Sequence, residues 1–499
     1  MGNTGSVPVG TGTATAGTAA GTGVIEANGI NVIADEERKG RPRDLFWPWF
    51  GSNVSVLGLS YGSFVLGFGV SFWQATVIGL VGVTVSFLLC GFIAVAGRRG
   101  SAPTMVLSRA AFGVHGNRLP SLISWILTVG WETVLIILAT LATATVFGRL
   151  GWGSGAPVQV VAMIVVVALT IAGGVAGFDV IMRMQRWITV VTGVLTVVYA
   201  VLVVRHIDWS AVSSLPSGSG TAFLGGFVFV MTGFGLGWVN AAADYSRYLP
   251  RSASARGIVG WTTLGGAVAP ALLVVFGALL AGSSGELSTA IGADPIGALA
   301  ELLPTWFLVV FVVVAVLGLV GGAVLDIYSS GLALLSLGVP LRRYQAALVD
   351  GLIMIVGAVY VVFLAHSDFQ AQFTGFLITL GVPVSAWCGV VLADILLRRR
   401  DYAEADLYDA RGRYGSVRWA AVLLVVIGTA LGWGLVTNSA AGWLDWQGYL
   451  LGPFGLGGRE GGWAFANLGV LVALAVGFVG TLALSSGRVR RQEAVPAGR

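Results

Sequence analysis

Residues 45–69 read LFWPWFGSNVSVLGLSYGSFVLGFG. The stretch is apolar enough to cross a bilayer, which takes about 20 mostly apolar residues. Yet Pro48, Gly51, Ser52, Asn53 and Ser55 interrupt it. A second stretch, 221–243, reads TAFLGGFVFVMTGFGLGWVNAAA and is interrupted by Gly233, Gly235, Gly237 and Asn240. Lipid offers no partner to a freed backbone group, so a break is tolerated only where it faces protein or lines a cavity. Broken helices at matching places in the two halves of a polytopic chain point to the central site of a transporter. Taken singly, each glycine cluster also fits close helix packing.

The rest of the chain fits that setting. Of 499 residues, 56% are hydrophobic and 10% charged, against about 25% charged in soluble domains. Cys90 and Cys388 fall inside apolar runs, so they read as buried filler and not as a disulfide framework. The formal net charge is +5. It is concentrated between apolar runs, so it reports membrane orientation and no nucleic-acid partner is expected. Twelve candidate spans lie near 45–69, 74–96, 119–147, 157–175, 180–204, 221–243, 258–282, 303–325, 346–365, 372–396, 418–437 and 465–485.

Arginines alternate sides along these spans. Arg38, Arg41 and Arg43, then Arg98, Arg99, Arg109 and Arg118, Arg247 and Arg251, Arg342 and Arg343, Arg398–Arg400, and Arg488 with Arg490 share one side. The rule that cytoplasmic loops are rich in Lys and Arg places both termini in the cytoplasm. The expected organisation is a disordered cytoplasmic tail over 1–40, a transmembrane domain over 41–487 and a cytoplasmic tail over 488–499. Spans one and six are the broken ones, five spans apart. That spacing predicts an all-α fold with a five-plus-five inverted repeat and two appended helices.

At several motifs the chain resembles the nucleobase:cation symporter-1 family, the purine–cytosine permeases. These are DEERKGRPRDLFWPWFGSNVS at Asp35–Ser55, APTMVLSRAAFGVHGNRLP at Ala102–Pro120 and GWETVL at Gly130–Leu135. AADYSRYLP at Ala242–Pro250, LDIYSSGLAL at Leu325–Leu334 and GVVLADILLRRRDY at Gly389–Tyr402 complete the set. The match runs in order over roughly 30–485. The resemblance implies a LeuT-like fold, alternating access and cation-coupled uptake of a flat nitrogen heterocycle across the plasma membrane.

It also implies roles for particular residues. Trp131 takes the position of a tryptophan that stacks on the substrate. An aromatic at the span-six break stacks on the other face, and Phe234 or Trp238 fills that place beside Gly235. Relatives hold an amide one turn from the tryptophan; here Thr128 and Leu135 stand at those positions, so the resemblance does not fix which heterocycle is carried. Asn53, Ser55 and Asn240 offer polar contacts, or cap the broken helices locally.

Glu132 is a carboxylate inside a span, costly unless paired, wet or protonated. It reads either as an acceptor for substrate N–H groups or as a proton site, with a structural ion partner as the alternative. Asp244 and Arg247 read as a gating pair. A sodium site in this fold draws on span-eight hydroxyls, and Phe311–Leu325 contains neither Ser nor Thr. Asp326 follows directly, so proton coupling is the expectation and sodium the alternative. No other cofactor and no metal is expected, and the oligomeric state is not legible. A membrane enzyme lacks any nucleophile–base–metal constellation. An uncoupled facilitator and a binding-only sensor remain as rivals, separated from a carrier by accumulation against a gradient.

Overall fold

The computed structural model describes Glu26, residues 28–364, 369–438 and 442–494. Among these residues all regular structure is helical. Ten helices are long and apolar enough to span a membrane, and two shorter apolar helices accompany them.

Span one is two helices, α1 (Phe46–Asn53) and α2 (Leu57–Leu66). Then come α3 (Phe72–Gly100), α4 (Arg118–Arg149), α5 (Ala156–Ala176) and α6 (Phe178–Val203). Span six is split into α7 (Gly220–Gly233) and α8 (Ala242–Ser246), joined by the single turn Gly235–Trp238 and a tight 3-10 turn. The second half continues as α9 (Ala255–Ser283), α10 (Leu308–Ser336), α11 (Arg343–Val359) and α12 (Phe369–Leu397). The appended pair is α13 (Trp419–Trp433) and α14 (Leu468–Ala494).

The packing follows the repeat. α3 pairs with its counterpart α9, and α4 with its counterpart α10, so the two broken spans sit between equivalent pairs. Short polar side chains start several of these helices. Ser71 caps α3, with Gln74 returning the bond, while Ser219 caps α7 and Ser254 caps α9. Large apolar side chains such as Val161, Ile164, Val197, Leu272, Leu352 and Val356 stay exposed on the outer helices, where lipid replaces water as their solvent.

The break in span one lies later than the composition suggested. Pro48 and Gly51 are inside α1, and the helix ends only at Asn53. Proline is compatible with a first helical turn, where no intrahelical N–H bond is lost. α2 meets α9 at near-backbone distance. A Cβ on Gly62 would stand 2.2 Å from Ala278 N, and one on Gly277 would stand 1.9 Å from Leu59 O. Gly277→Val therefore forces the helices apart and costs about 3 kcal/mol from overpacking. A fall in the unfolding midpoint of the detergent-purified protein is the expected result; an unchanged midpoint would show that the contact yields freely.

Of the stretch 1–40, Glu26 and residues 28–40 lie pressed against the end of the bundle, as a strap rather than a free tail; the others are outside the described residues. Ile33 N donates to Ser101 O at 2.8 Å, and Lys39 N to Tyr248 O at 2.7 Å. Glu26 is the pin. It accepts from Phe178 N at the start of α6 (2.8 Å), from the Tyr328 hydroxyl (3.3 Å) and from Tyr248. Arg247 and Arg343 face it at 3.6 and 3.8 Å. Gly177 makes room: its φ is +89°, and a Cβ there would meet Glu26 at 2.3 Å. At the other end, α14 continues to Ala494, past the expected boundary at 487.

Candidate functional site

Both breaks open onto one cavity of about 50 Å³. Ser52, Asn53 and Ser55 reach it from span one, and Phe234, Gly237 and Trp238 from span six. α4 adds Trp131 and Leu135, and α10 adds Gly318, Gly322 and Asp326. Four elements distant in sequence thus converge at the two breaks.

The local backbone explains the opening. After Asn53, Val54 leaves the helix at φ −82°, ψ +71°. Asn53 Nδ2 donates back to Trp49 O at 2.8 Å, and Ser55 Oγ accepts from Leu57 N at 3.3 Å. These two side chains therefore cap the broken ends while also lining the cavity. In span six the chain turns at Phe234 (φ −118°, ψ −114°). Gly237 then passes under Trp131, where a Cβ would stand 3.3 Å from the indole Nε1. That indole N–H is buried and has no hydrogen-bond partner.

The cavity is closed on both sides by aromatic rings. Toward the face opposite the N-terminal strap, Tyr61 lies 4.5 Å from Phe234 and 5.9 Å from Phe373, and Phe373 lies 5.5 Å from Trp131. Beyond this layer is an outer cavity of about 560 Å³ lined by Phe64, Phe68, Thr221, Thr374 and Asn467. Toward the strap, Trp49 packs on Trp238 at 5.7 Å and on Tyr245 at 5.4 Å. Below them Arg247 Nη2 donates to the Tyr328 hydroxyl at 2.8 Å, and Arg247 Nη1 to Gly29 O at 2.7 Å.

The structure sorts the sequence expectations. Trp131, Phe234, Trp238, Asn53, Ser55 and Asp326 share the cavity wall. Thr128 does not; its hydroxyl turns back onto Ser124 O and Trp125 O of its own helix. Gly235 packs on α3 instead, its N–H donating to Ser86 Oγ at 3.0 Å. Asn240 Nδ2 donates to Ser124 Oγ at 2.8 Å, away from the cavity. Glu132 is fully buried and lies outside the cavity lining. Asp244 and Arg247 are not a direct ion pair. Asp244 Oδ1 is taken by the Thr104 N–H and hydroxyl, both at 2.8 Å, while Arg247 serves the strap. Tyr61 and Phe373 went unnoticed in the sequence, because an aromatic in an apolar helix carries no distinguishing pattern.

The sequence profile described as "Permease for cytosine/purines, uracil, thiamine, allantoin" matches residues 32–450. The chain belongs to the nucleobase:cation symporter-1 family. Among its relatives, the cytosine permease of Escherichia coli K12 is 28% identical over 401 residues, covering 77% of this chain and 81% of that protein. YxlA of Bacillus subtilis, named as a purine-cytosine permease, is 24% identical over 413 residues, covering 82% of this chain and 87% of its own. The solved structure of Mhp1, a nucleobase-cation-symport-1 transporter in a closed conformation with bromovinylhydantoin bound, superposes with a TM-score of 0.69. That match is 18% identical and covers 96% of this chain and 98% of Mhp1. The symporter-1 chain therefore has a LeuT-like fold, is a multi-pass membrane protein and is a permease rather than an enzyme.

Proposed function

We propose that this symporter-1 chain is a secondary active transporter that takes up a nucleobase, cytosine or a purine, together with protons. It works by alternating access in the plasma membrane with both termini cytoplasmic. The observation that carries the reading is the cavity at the two helix breaks, walled by aromatic rings and headed by one carboxylate. A planar heterocycle gains about 0.5–1.5 kcal/mol per aromatic contact beyond the area it buries. Trp131 on one side and Phe234 or Trp238 on the other form the sandwich. Asp326 and the freed backbone groups pair with ring N–H and C=O groups. The aromatic layer at Tyr61 and Phe373 is the outer gate, and the Arg247 layer the inner one.

The crevice between spans one and eight supports proton over sodium. Hard cations need oxygen ligands. On α10 this crevice is walled by Gly318, Gly321 and Gly322, which offer no side-chain oxygen. The Gln185 amide fills it, with Nε2 donating to Gly321 O at 2.6 Å and its buried Oε1, which has no partner, beside Gly51 as a single side-chain oxygen.

The test is uptake of radiolabelled cytosine, adenine, hypoxanthine, uracil and allantoin into proteoliposomes under an imposed proton or sodium gradient. Accumulation of a nucleobase driven by inward protons is expected. Sodium-driven accumulation would overturn the coupling ion. Transport of allantoin alone would move the substrate to the ureides, in keeping with the missing amide at Thr128 and Leu135.

A further inference from the structure

Behind the cavity, on the side of α4 and α10 away from the broken spans, a line of polar groups leads off from Asp326, the carboxylate that also lines the cavity. Asp326 and Ser330 stand four residues apart on α10, which places them about 6 Å apart on one helix face. Glu132 of α4 faces this row. Its carboxylate is fully buried, with the Ser330 hydroxyl beside it beyond ordinary hydrogen-bond length and Asp326 and Asp350 as its charged neighbours. No arginine or lysine is among those neighbours. Ser330 Oγ donates to Asp350 Oδ2 of α11 at 2.9 Å, and Trp125 Nε1 of α4 donates to Asp350 Oδ1 at 2.7 Å. Asp350 is fully buried as well.

The line has a direction. Asp326 lies about 15 Å from the Ser336 end of α10, and Asp350 about 10 Å from the Arg343 end of α11. Both ends are on the face that carries the strap. The groups thus descend from the cavity toward that face while staying off the route through the Arg247 gate. Intramembrane acids without a cation mark ion or proton paths by default. Here a buried carboxylate with only the Ser330 hydroxyl and two other acids around it sits in the middle of the row.

We propose that Asp326, Glu132, Ser330 and Asp350 form a proton path that branches from the substrate cavity at Asp326, with Asp350 as its inner terminus. The proposal rests on the proton-coupled reading above. A proton from the cavity binds Asp326 and passes to Glu132. Glu132 then gives a proton to Ser330 Oγ, whose own hydroxyl proton moves to Asp350 Oδ2. Release from Asp350 toward the strap face resets the line; one proton enters, one leaves, and no bond other than O–H changes. Trp125 is a positioning residue that fixes the Asp350 carboxyl.

The experiment uses the full-length protein in proteoliposomes with the best-transported base of the set above. Three readouts are compared for the unmodified protein, Asp350→Asn and Ser330→Ala. These are counterflow exchange without gradients, accumulation driven by a pH gradient, and alkalinisation of the medium on substrate addition. In both variants exchange is expected to persist while driven accumulation and proton movement are lost. A variant that keeps driven accumulation and proton movement overturns the path. Loss of exchange and coupling together in the well-folded Ser330→Ala protein also overturns it, since the row would then be part of the substrate site. Sodium-driven accumulation in the unmodified protein overturns the coupling reading itself, and the path with it. Infrared spectra of purified protein without substrate give an independent check: a carboxylic-acid band that titrates in the unmodified protein disappears in Asp350→Asn, and an unaltered band refutes the assignment.

Discussion

Trp131→Ala is expected to weaken substrate binding about tenfold, or about 1.4 kcal/mol. The indole lies against Gly237 at the span-six break and is braced edge-on by Phe373 and Phe376. Alanine removes one face of the sandwich and leaves a void that the braced rings do not fill. Trp131→Phe keeps an aromatic face and is expected to retain most of the affinity. Equilibrium binding of labelled substrate to purified protein measures both. Equal affinities for the unmodified protein and the alanine variant would remove Trp131 from the site. The same assay on Phe234→Ala and Trp238→Ala decides which aromatic forms the opposite face, because both line the cavity.

Arg247→Ala should be the more damaging change to the fold. The guanidinium is completely buried and holds Gly29 O, the Tyr248 and Tyr328 hydroxyls and Glu26 together. Removing one partner of a buried ion pair costs about 3–5 kcal/mol when the other is left uncompensated; here Arg343 still faces Glu26 at 3.8 Å, so the loss falls at the lower end. A large drop in the unfolding midpoint is expected, together with increased labelling of a cysteine placed at Gly29. A midpoint that does not move would mean that the strap is not held by this arginine.

The fold was legible because its signals are coarse and repeated. Glycine clusters five spans apart and alternating arginines survive any uncertainty in register. The site was legible where chemistry clashes with surroundings, as at Asp326, or where a motif marks a tryptophan, as at Trp131. What was missed needs coordinates. The exact break in span one was displaced because proline near a helix start is no breaker, whereas Val54 is an inconspicuous residue that leaves the helix. Asp244 and Arg247 share a short helical spacing, but Thr104 comes from a distant loop to claim the aspartate. Thr128 faces its own backbone, a choice that sequence leaves open. Asp350, near the start of an apolar run, went unnoticed in the sequence; only the contacts from Ser330 and Trp125 single it out.

The strap has a consequence for how the molecule is made. Glu26 is synthesised early, but Tyr328, one of its partners, lies 302 residues further along the chain. At about 5–20 residues per second, a ribosome needs roughly 15–60 s to cover that distance. Throughout that interval the nascent amino-terminal segment has no complete socket. The strap side of the bundle can therefore be closed only after the eighth and ninth helices have been inserted. Sealing is a late act of biogenesis, and a truncated or stalled chain is left without it.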